Sequence, residues 1–393
     1  MIWSAASRAA PSTDLEIIRS NSQVKIVTVV GARPQFIKAA PVSRAILSHN
    51  GQNPESVIHE VLVHTGQHYD DNMSRVFFEE LSLRNPDYNL GVGSGRHGAM
   101  TGAMLEKVES VLIEESPDWL LTYGDTNSTL AGALAAAKLH IAVAHVEAGL
   151  RSYNSRMPEE INRVLTDHLA SMLFCPTETA VNNLAKEGIG RNVFNVGDVM
   201  YDAFLFNAKL SAERSRILTD LGLEPRGYCL ATVHRQENTD DPDVLLDLFG
   251  TFDEVSRNGC PVVVPIHPRT RQVLETHPRH EGSHSATILI PPVSYLDMIA
   301  LEVNAKLILT DSGGVQKEAY FAQVPCITLR NETEWIETIQ SGMNVLASTN
   351  RARILEAFQF MPARRPAATE RFFGDGEASR KIVSSLLLGR QTK

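Results

Sequence analysis

The feature that most constrains this chain is a pattern that runs through it twice: a short β-branched run, a polar turn, then an amphipathic helix. Residues 24–30, VKIVTVV, form the first such run, and Gly31-Ala32-Arg33-Pro34 the first turn, with a helix predicted over about 36–47. Further strand-like runs fall at 59–65, 118–123, 141–147 and 172–175, with helical segments between them, including 104–115 and 128–139. Continuous apolar runs separated by helices mean a parallel sheet covered on both faces. The pattern pauses over 193–202, at Gly197 and Asp198, and then restarts with runs at 228–232, 262–266, 287–290, 305–310 and 326–329. A stretch rich in Pro, Ala and Arg, 361–369, predicts a second hinge before a last helix over about 377–388.

The length, 393 residues, agrees with two domains rather than one core. We expect a loose tail over 1–22, a first Rossmann-like α/β domain over 23–195 and a second over 196–369. Two doubly wound domains in succession place a ligand where strand C-termini face each other across a cleft. The chemistry should therefore sit just after strands.

Composition narrows the partners. The 37 basic and 46 acidic side chains give a net charge of −9, which argues against a nucleic-acid or anionic-membrane surface. Cys175, Cys229, Cys260 and Cys326 stand singly, with no C-x-x-C pair for zinc, and read as buried thiols in a reducing compartment. No run of about 18 apolar residues predicts a membrane span, and the first 22 residues lack a signal-peptide block. A cytoplasmic protein without membrane insertion, metal or cofactor is the expectation.

Several turns after strands carry candidate chemistry. Arg33 presents a bidentate donor suited to a diphosphate, although a plain turn with a surface arginine would look the same. Asp311-Ser312-Gly313-Gly314 opens a helix, and its glycines and N-terminal amides suit a phosphate without matching an ATP or NAD loop. Glu318, one turn in, is placed to accept from ribose hydroxyls; an ordinary helix cap is the alternative. Asp125 and Glu147 follow consecutive strands, which brings both carboxylates to one sheet edge, and Glu159 begins a helix after Pro158. Converging carboxylates suit acid–base work, while Glu159 also fits the usual acidic preference of a first helical turn. His234, beside Arg235, is placed to donate to a departing phosphate oxygen, although a lone histidine after a strand is more often structural. His64 and His68 lie across a strand end and a turn, a poor arrangement for a metal. The cluster 91–95 reads as a flexible loop, and neither G-x-S-x-G nor H-E-x-x-H occurs.

Together these motifs resemble the non-hydrolysing UDP-N-acetylglucosamine 2-epimerases. Gly-x-Arg-Pro, Gly-Asp-Thr, His-Val-Glu-Ala-Gly-Leu-Arg, Pro-Glu-Glu-x-Asn-Arg, the His-Arg turn and Asp-Ser-Gly-Gly-x-Gln occur in the family's order over nearly the whole chain. The resemblance implies a GT-B fold with the ligand cleft between its domains and a last helix, within 370–393, that returns to the first domain. It implies a homodimer, a UDP-sugar substrate, and no cofactor or metal. It also implies roles: Asp125, Glu147 and Glu159 as catalytic carboxylates, Arg33 and His234 at the diphosphate, Ser312, Gly313 and Gly314 on the phosphates, and Glu318 on the ribose. The implied reaction eliminates UDP to a 2-acetamidoglucal and adds it back with the C2 proton on the other face.

Two departures bear on the substrate. Thr333-Glu334-Trp335-Ile336-Glu337 stands where bacterial members often have Thr-Glu-Arg-Pro-Glu. Its Glu-Trp form, with the opening Gly-Ala-Arg-Pro-Gln-Phe-Ile-Lys, is more similar to the branch acting on UDP-2,3-diacetamido-2,3-dideoxyglucuronate. Gln67-His68-Tyr69-Asp70 replaces the Gln-His-Arg of substrate-activated members. The expected activity is interconversion of UDP-GlcNAc and UDP-ManNAc, with the diacetamido-uronate as an alternative. A GT-B glycosyltransferase shares the cleft but needs an acceptor site; a hydrolysing epimerase and a non-catalytic binder complete the alternatives.

Overall fold

The structure, a computed structural model, describes residues 23–66, 84–276, 286–364 and 371–390. The expected tail, part of the 361–369 hinge, His68 and the 67–70 departure lie outside the described residues.

Two parallel sheets organise the chain. The first contains β1 (Val24–Val30), β2 (Ile58–His64), β3 (Tyr88–Asn89), β4 (Trp119–Tyr123), β5 (Ala142–Val146), β6 (Met172–Cys175) and β7 (Val193–Asn195). Its order is β3-β2-β1-β4-β5-β6-β7. The second contains β8 (Cys229–Thr232), β9 (Val262–Pro265), β10 (Ile288–Ile290), β11 (Leu307–Thr310), β12 (Cys326–Thr328) and β13 (Asn344–Leu346), in the order β10-β9-β8-β11-β12-β13. Both orders reverse direction once, between β1 and β4 and between β8 and β11, and a doubly wound sheet binds its ligand at that reversal. The fold is thus two Rossmann-like α/β units of the GT-B type.

The runs form strands because every residue of β4, β5, β6, β8, β9 and β11 is buried, as a sheet with helices on both faces requires. The helix Arg33–Gln52 begins earlier than its apolar face suggests. Pro34 sits in its first turn, where a missing N–H costs nothing. The strands β3, β7 and β13, of two or three residues each, were not anticipated.

The C-terminal helix Ala378–Arg390 lies on the first unit. Ile382, Val383 and Leu386 join Phe36, Ile46, Trp119 and Phe174 in one apolar core. The outward crossing, around Asp198, meets the return crossing, around Phe373: the Asp198 amide donates to the Phe373 carbonyl at 3.0 Å. No described helix is long and apolar enough to cross a membrane.

Candidate active site

A cavity of about 580 Å³ lies where the two reversals face each other. Its first wall begins with the turn after β1. Gln35, 1% exposed, accepts from the amides of Gly31 and Ala32 at 2.8 and 3.1 Å and donates to Tyr123 O and Thr129 Oγ1 at 2.9 and 3.0 Å. This one amide ties the β1 turn to the β4 turn. Arg33, Pro34, Ile37 and Lys38 then line the cavity, at i, i+1, i+4 and i+5, one face of a helix.

Asp125 and Glu147 follow β4 and β5, adjacent parallel strands, and both line the cavity. Asp125 is gripped by Arg163, whose other arm reaches Glu160 at 3.1 Å. Asn162 supports the same turn, donating to Asp125 O at 2.9 Å. Glu147 has φ +71°, a left-handed conformation that a glutamate adopts at some cost in strain. Lys38 donates to its Oε2, and Lys317 Nζ stands 3.2 Å from its Oε1. Burial works against the charge on Glu147, but the two ammonium groups outweigh it and hold the carboxyl well below its usual range. Gly124 has φ +63°, and a Cβ there would come within 3.1 Å of Lys38 Nζ and 3.2 Å of Glu147 Oε2. The glycine is what lets this ion pair close over the turn.

The rest of the His-Val-Glu-Ala-Gly-Leu-Arg motif is scaffolding for these two turns. His145 is fully buried, with Nδ1 2.7 Å from Asp167 Oδ1 and Nε2 2.7 Å from the Gly124 carbonyl. Asp167 also accepts from the Gly149 amide at 3.1 Å and from Arg151 at 2.7 Å. Burial disfavours the Asp167 charge, yet His145 and Arg151 hold its carboxyl low.

Glu159 falls elsewhere. It is exposed at the start of the Pro158–Leu169 helix and is not part of the cavity lining. Successive helical residues point about 100° apart, and the inward direction belongs to Glu160, which accepts from Ser152 and Tyr153 amides at 2.9 Å.

The second wall follows β8 and β11. His234 faces the cavity from a turn held by Asp311, whose carboxylate accepts from the His234 amide at 3.0 Å, from the Arg235 amide at 3.0 Å and from Asn238 Nδ2 at 3.0 Å. Ser312 caps the helix Gly313–Phe321, accepting from the Val315 amide. Ser312, Gly313 and Gly314 line the cavity, so this helix N-terminus, with its unpaired amides and positive dipole end, opens onto it. Glu318 lies one turn deeper, accepting from Tyr295 Oη at 3.0 Å; burial pushes its carboxyl up. Thus Arg33, Asp125, Glu147, His234, Ser312, Gly313, Gly314 and Glu318 meet in one cavity. Gln35, Lys38, Arg163 and Lys317 were not anticipated. Among the described residues, no group of three or more His, Cys, Asp or Glu is placed to hold a metal ion.

Residues 52–387 match the profile of the family described as UDP-N-acetylglucosamine 2-epimerase. The chain belongs to this family. It is similar to a Methanococcus maripaludis UDP-N-acetylglucosamine 2-epimerase homolog, 53% identical over 92% of this chain and 99% of that one. It is 48% identical, over 92% of this chain and 99% of the other, to the UDP-2,3-diacetamido-2,3-dideoxy-D-glucuronate 2-epimerase of Pseudomonas aeruginosa. Among solved structures it resembles the Methanocaldococcus jannaschii UDP-GlcNAc 2-epimerase in complex with UDP-GlcNAc and UDP, at a TM-score of 0.81 and 43% identity. That match covers 93% of this chain and 100% of the other. As a member of the UDP-N-acetylglucosamine 2-epimerase family the chain is an isomerase, a non-hydrolysing UDP-sugar 2-epimerase.

Proposed function

We propose that the enzyme interconverts UDP-GlcNAc and UDP-ManNAc by eliminating UDP to a 2-acetamidoglucal and adding it back. The observation that carries this reading is the placement of Asp125 and Glu147, at adjacent strand ends, opposite the Ser312–Gly314 helix start in one cavity. The C2 proton is too weakly acidic for a carboxylate to remove unless the C1–O bond breaks as the proton leaves. In this reading one carboxylate takes the C2 proton while UDP departs, and the other delivers a proton to the opposite face as UDP returns. Arg33, His234 and the amides of Gly313 and Gly314 stabilise the departing diphosphate, and Glu318 accepts from the ribose. The cavity walls hold the glucal and UDP together between the two half-reactions.

A neutral sugar is supported by the local charges. Lys38 and Lys317 are committed to Glu147, and Arg163 to Asp125 and Glu160. A uronate would add a carboxylate to this balanced set. The second reading, a diacetamido-uronate substrate with the same chemistry, is favoured by the 48% identity to the Pseudomonas aeruginosa enzyme and by Trp335 in the lining. Our division of the chain into 23–195 with the last helix, and 196–369, belongs to the same reading. So do the homodimer, which sedimentation velocity tests, and a cytoplasmic location.

The experiment is incubation in D2O with each UDP-sugar and no acceptor, followed by proton NMR at C2. Deuterium at C2 with the UDP-sugars intact is expected, faster for UDP-GlcNAc than for the uronate. Free sugar plus UDP would mean hydrolysis, and no exchange with either substrate would overturn the epimerase reading.

A further inference from the structure

Lys317 is 2% exposed, and an ammonium is seldom buried so far unless it is paired. It sits one turn into the Gly313–Phe321 helix, the helix whose start faces the cavity, and its three partners come from three other parts of the chain. Its Nζ lies 3.2 Å from Glu147 Oε1 after β5, 2.7 Å from Asp198 Oδ2 on the outward crossing, and 3.9 Å from the Trp335 ring centroid. Trp335 in turn packs against Phe373 of the return crossing, with ring centroids 6.1 Å apart. The lysine therefore joins the nucleotide-side helix, both crossings and the carboxylate of the first unit.

We propose that Lys317 is a positioning residue that acts through Glu147: it holds this carboxylate from across the cleft, so that the acid–base group and the diphosphate seat come into register together. The inference rests on the epimerase reading above. Lys38 alone anchors one oxygen of Glu147 and leaves the plane of the carboxylate free to rotate. Lys317 on the second oxygen fixes that plane, which decides where its proton-accepting lone pair points. Because Lys317 rides on the second unit, the full arrangement exists only when the two units are docked. The charged groups around Glu147 are Lys38 from the Arg33–Gln52 helix, Lys317 from the Gly313–Phe321 helix, and Arg163 with its partner Asp125 from the Pro158–Leu169 helix and the β4 turn. Asp198 stands behind Lys317. Without Lys317 a single ammonium opposes the burial of Glu147, so the carboxyl rises toward the ordinary range.

The test is the Lys317→Met variant, with pH profiles of C2 exchange and UDP affinity by calorimetry. Exchange is expected to fall by about 10- to 100-fold, the scale of a misplaced reacting group. The acid limb of the profile should move to higher pH than in wild type, as Glu147 loses one of the two ammonium groups that keep it ionised. UDP affinity should stay within about threefold, since the phosphate amides and the ribose carboxylate are untouched. In a Glu147→Gln background the same change should cost less than about threefold more, because the lysine has lost the group it acts through. Where the single variant does not fold, Lys317→Met with Asp198→Asn removes the orphaned carboxylate and carries the same measurements. Wild-type exchange, an unchanged pH profile, or a full additive loss in the Glu147→Gln background would overturn the proposal. A wild-type protein that exchanges C2 of no UDP-sugar would sink the epimerase reading instead, whatever the variant does.

Discussion

Lys38 donates to Glu147 although 109 residues separate them in the chain. The pair closes over Gly124, between the helix after β1 and the turn after β5, and it makes Glu147 an ionised group throughout the neutral range. Its state has consequences for stability as well as for proton transfer.

Glu147 is lowered from the ordinary 4.5 to about 2 by Lys38 and Lys317, against the opposing effect of burial. A carboxyl whose folded value lies below its unfolded one contributes stability above the unfolded value and loses it as pH falls through the folded value. The urea midpoint of wild type should therefore exceed that of Glu147→Gln at pH 7. The gap should narrow as pH drops from about 4.5 toward about 2. A gap that stayed constant over this range would contradict the assigned ion pairs.

Asp125→Asn and Glu147→Gln are each expected to slow C2 exchange by ~100-fold or more, the scale of losing an acid–base group. Exchange rates in D2O at saturating substrate provide the measurement. Wild-type rates in both variants would refute the assignment of these carboxylates.

Gln35→Ala should destabilise the fold by about 2–3 kcal/mol, because it strands the buried amides of Gly31 and Ala32 in the β1 turn, while Tyr123 O in the β4 turn keeps only the Thr129 hydroxyl at 2.7 Å. Chemical denaturation measures this. A loss under about 0.5 kcal/mol, the range of an ordinary surface change, would mean the amide is not a brace.

Gly313→Ala places a Cβ 2.5 Å from Glu334 Oε1 and 3.2 Å from Trp335 Nε1, so the Glu334 carboxylate, held by Arg330 at 3.1 Å, must shift and a methyl group enters the seat at the start of the Gly313–Phe321 helix. UDP affinity should fall by roughly tenfold, about 1.4 kcal/mol. Calorimetry with UDP alone separates this from any effect on the sugar, and unchanged affinity would mean the loop has room to spare.

Much of this was legible in the sequence because the signals were local. Continuous apolar runs marked the long central strands, and the turns after them carried Asp125, Glu147, His234 and Ser312 to the reversal points of the two sheets. What stayed hidden was the pairing between distant segments. Lys38 and Lys317 read as ordinary helical lysines, and only folding brings them, from 109 and 170 residues away, onto one carboxylate. The helical spacing from Arg33 to Lys38 was a usable clue to the first. Glu159 shows the converse: its motif placed it on the right helix, but the 100° step between neighbours turned Glu160 inward instead. The strands β3, β7 and β13 are too short to carry a period.

The helix Ala378–Arg390 has a consequence for biosynthesis. Ile382 and Leu386 fill the apolar layer beside Phe36 and Trp119, so the first unit waits until the whole second unit has been made before its interior is complete. Nascent chains must carry that uncovered layer while the second unit is synthesised. A stop codon within this helix would leave the layer open for good, damaging the unit made before the one it follows.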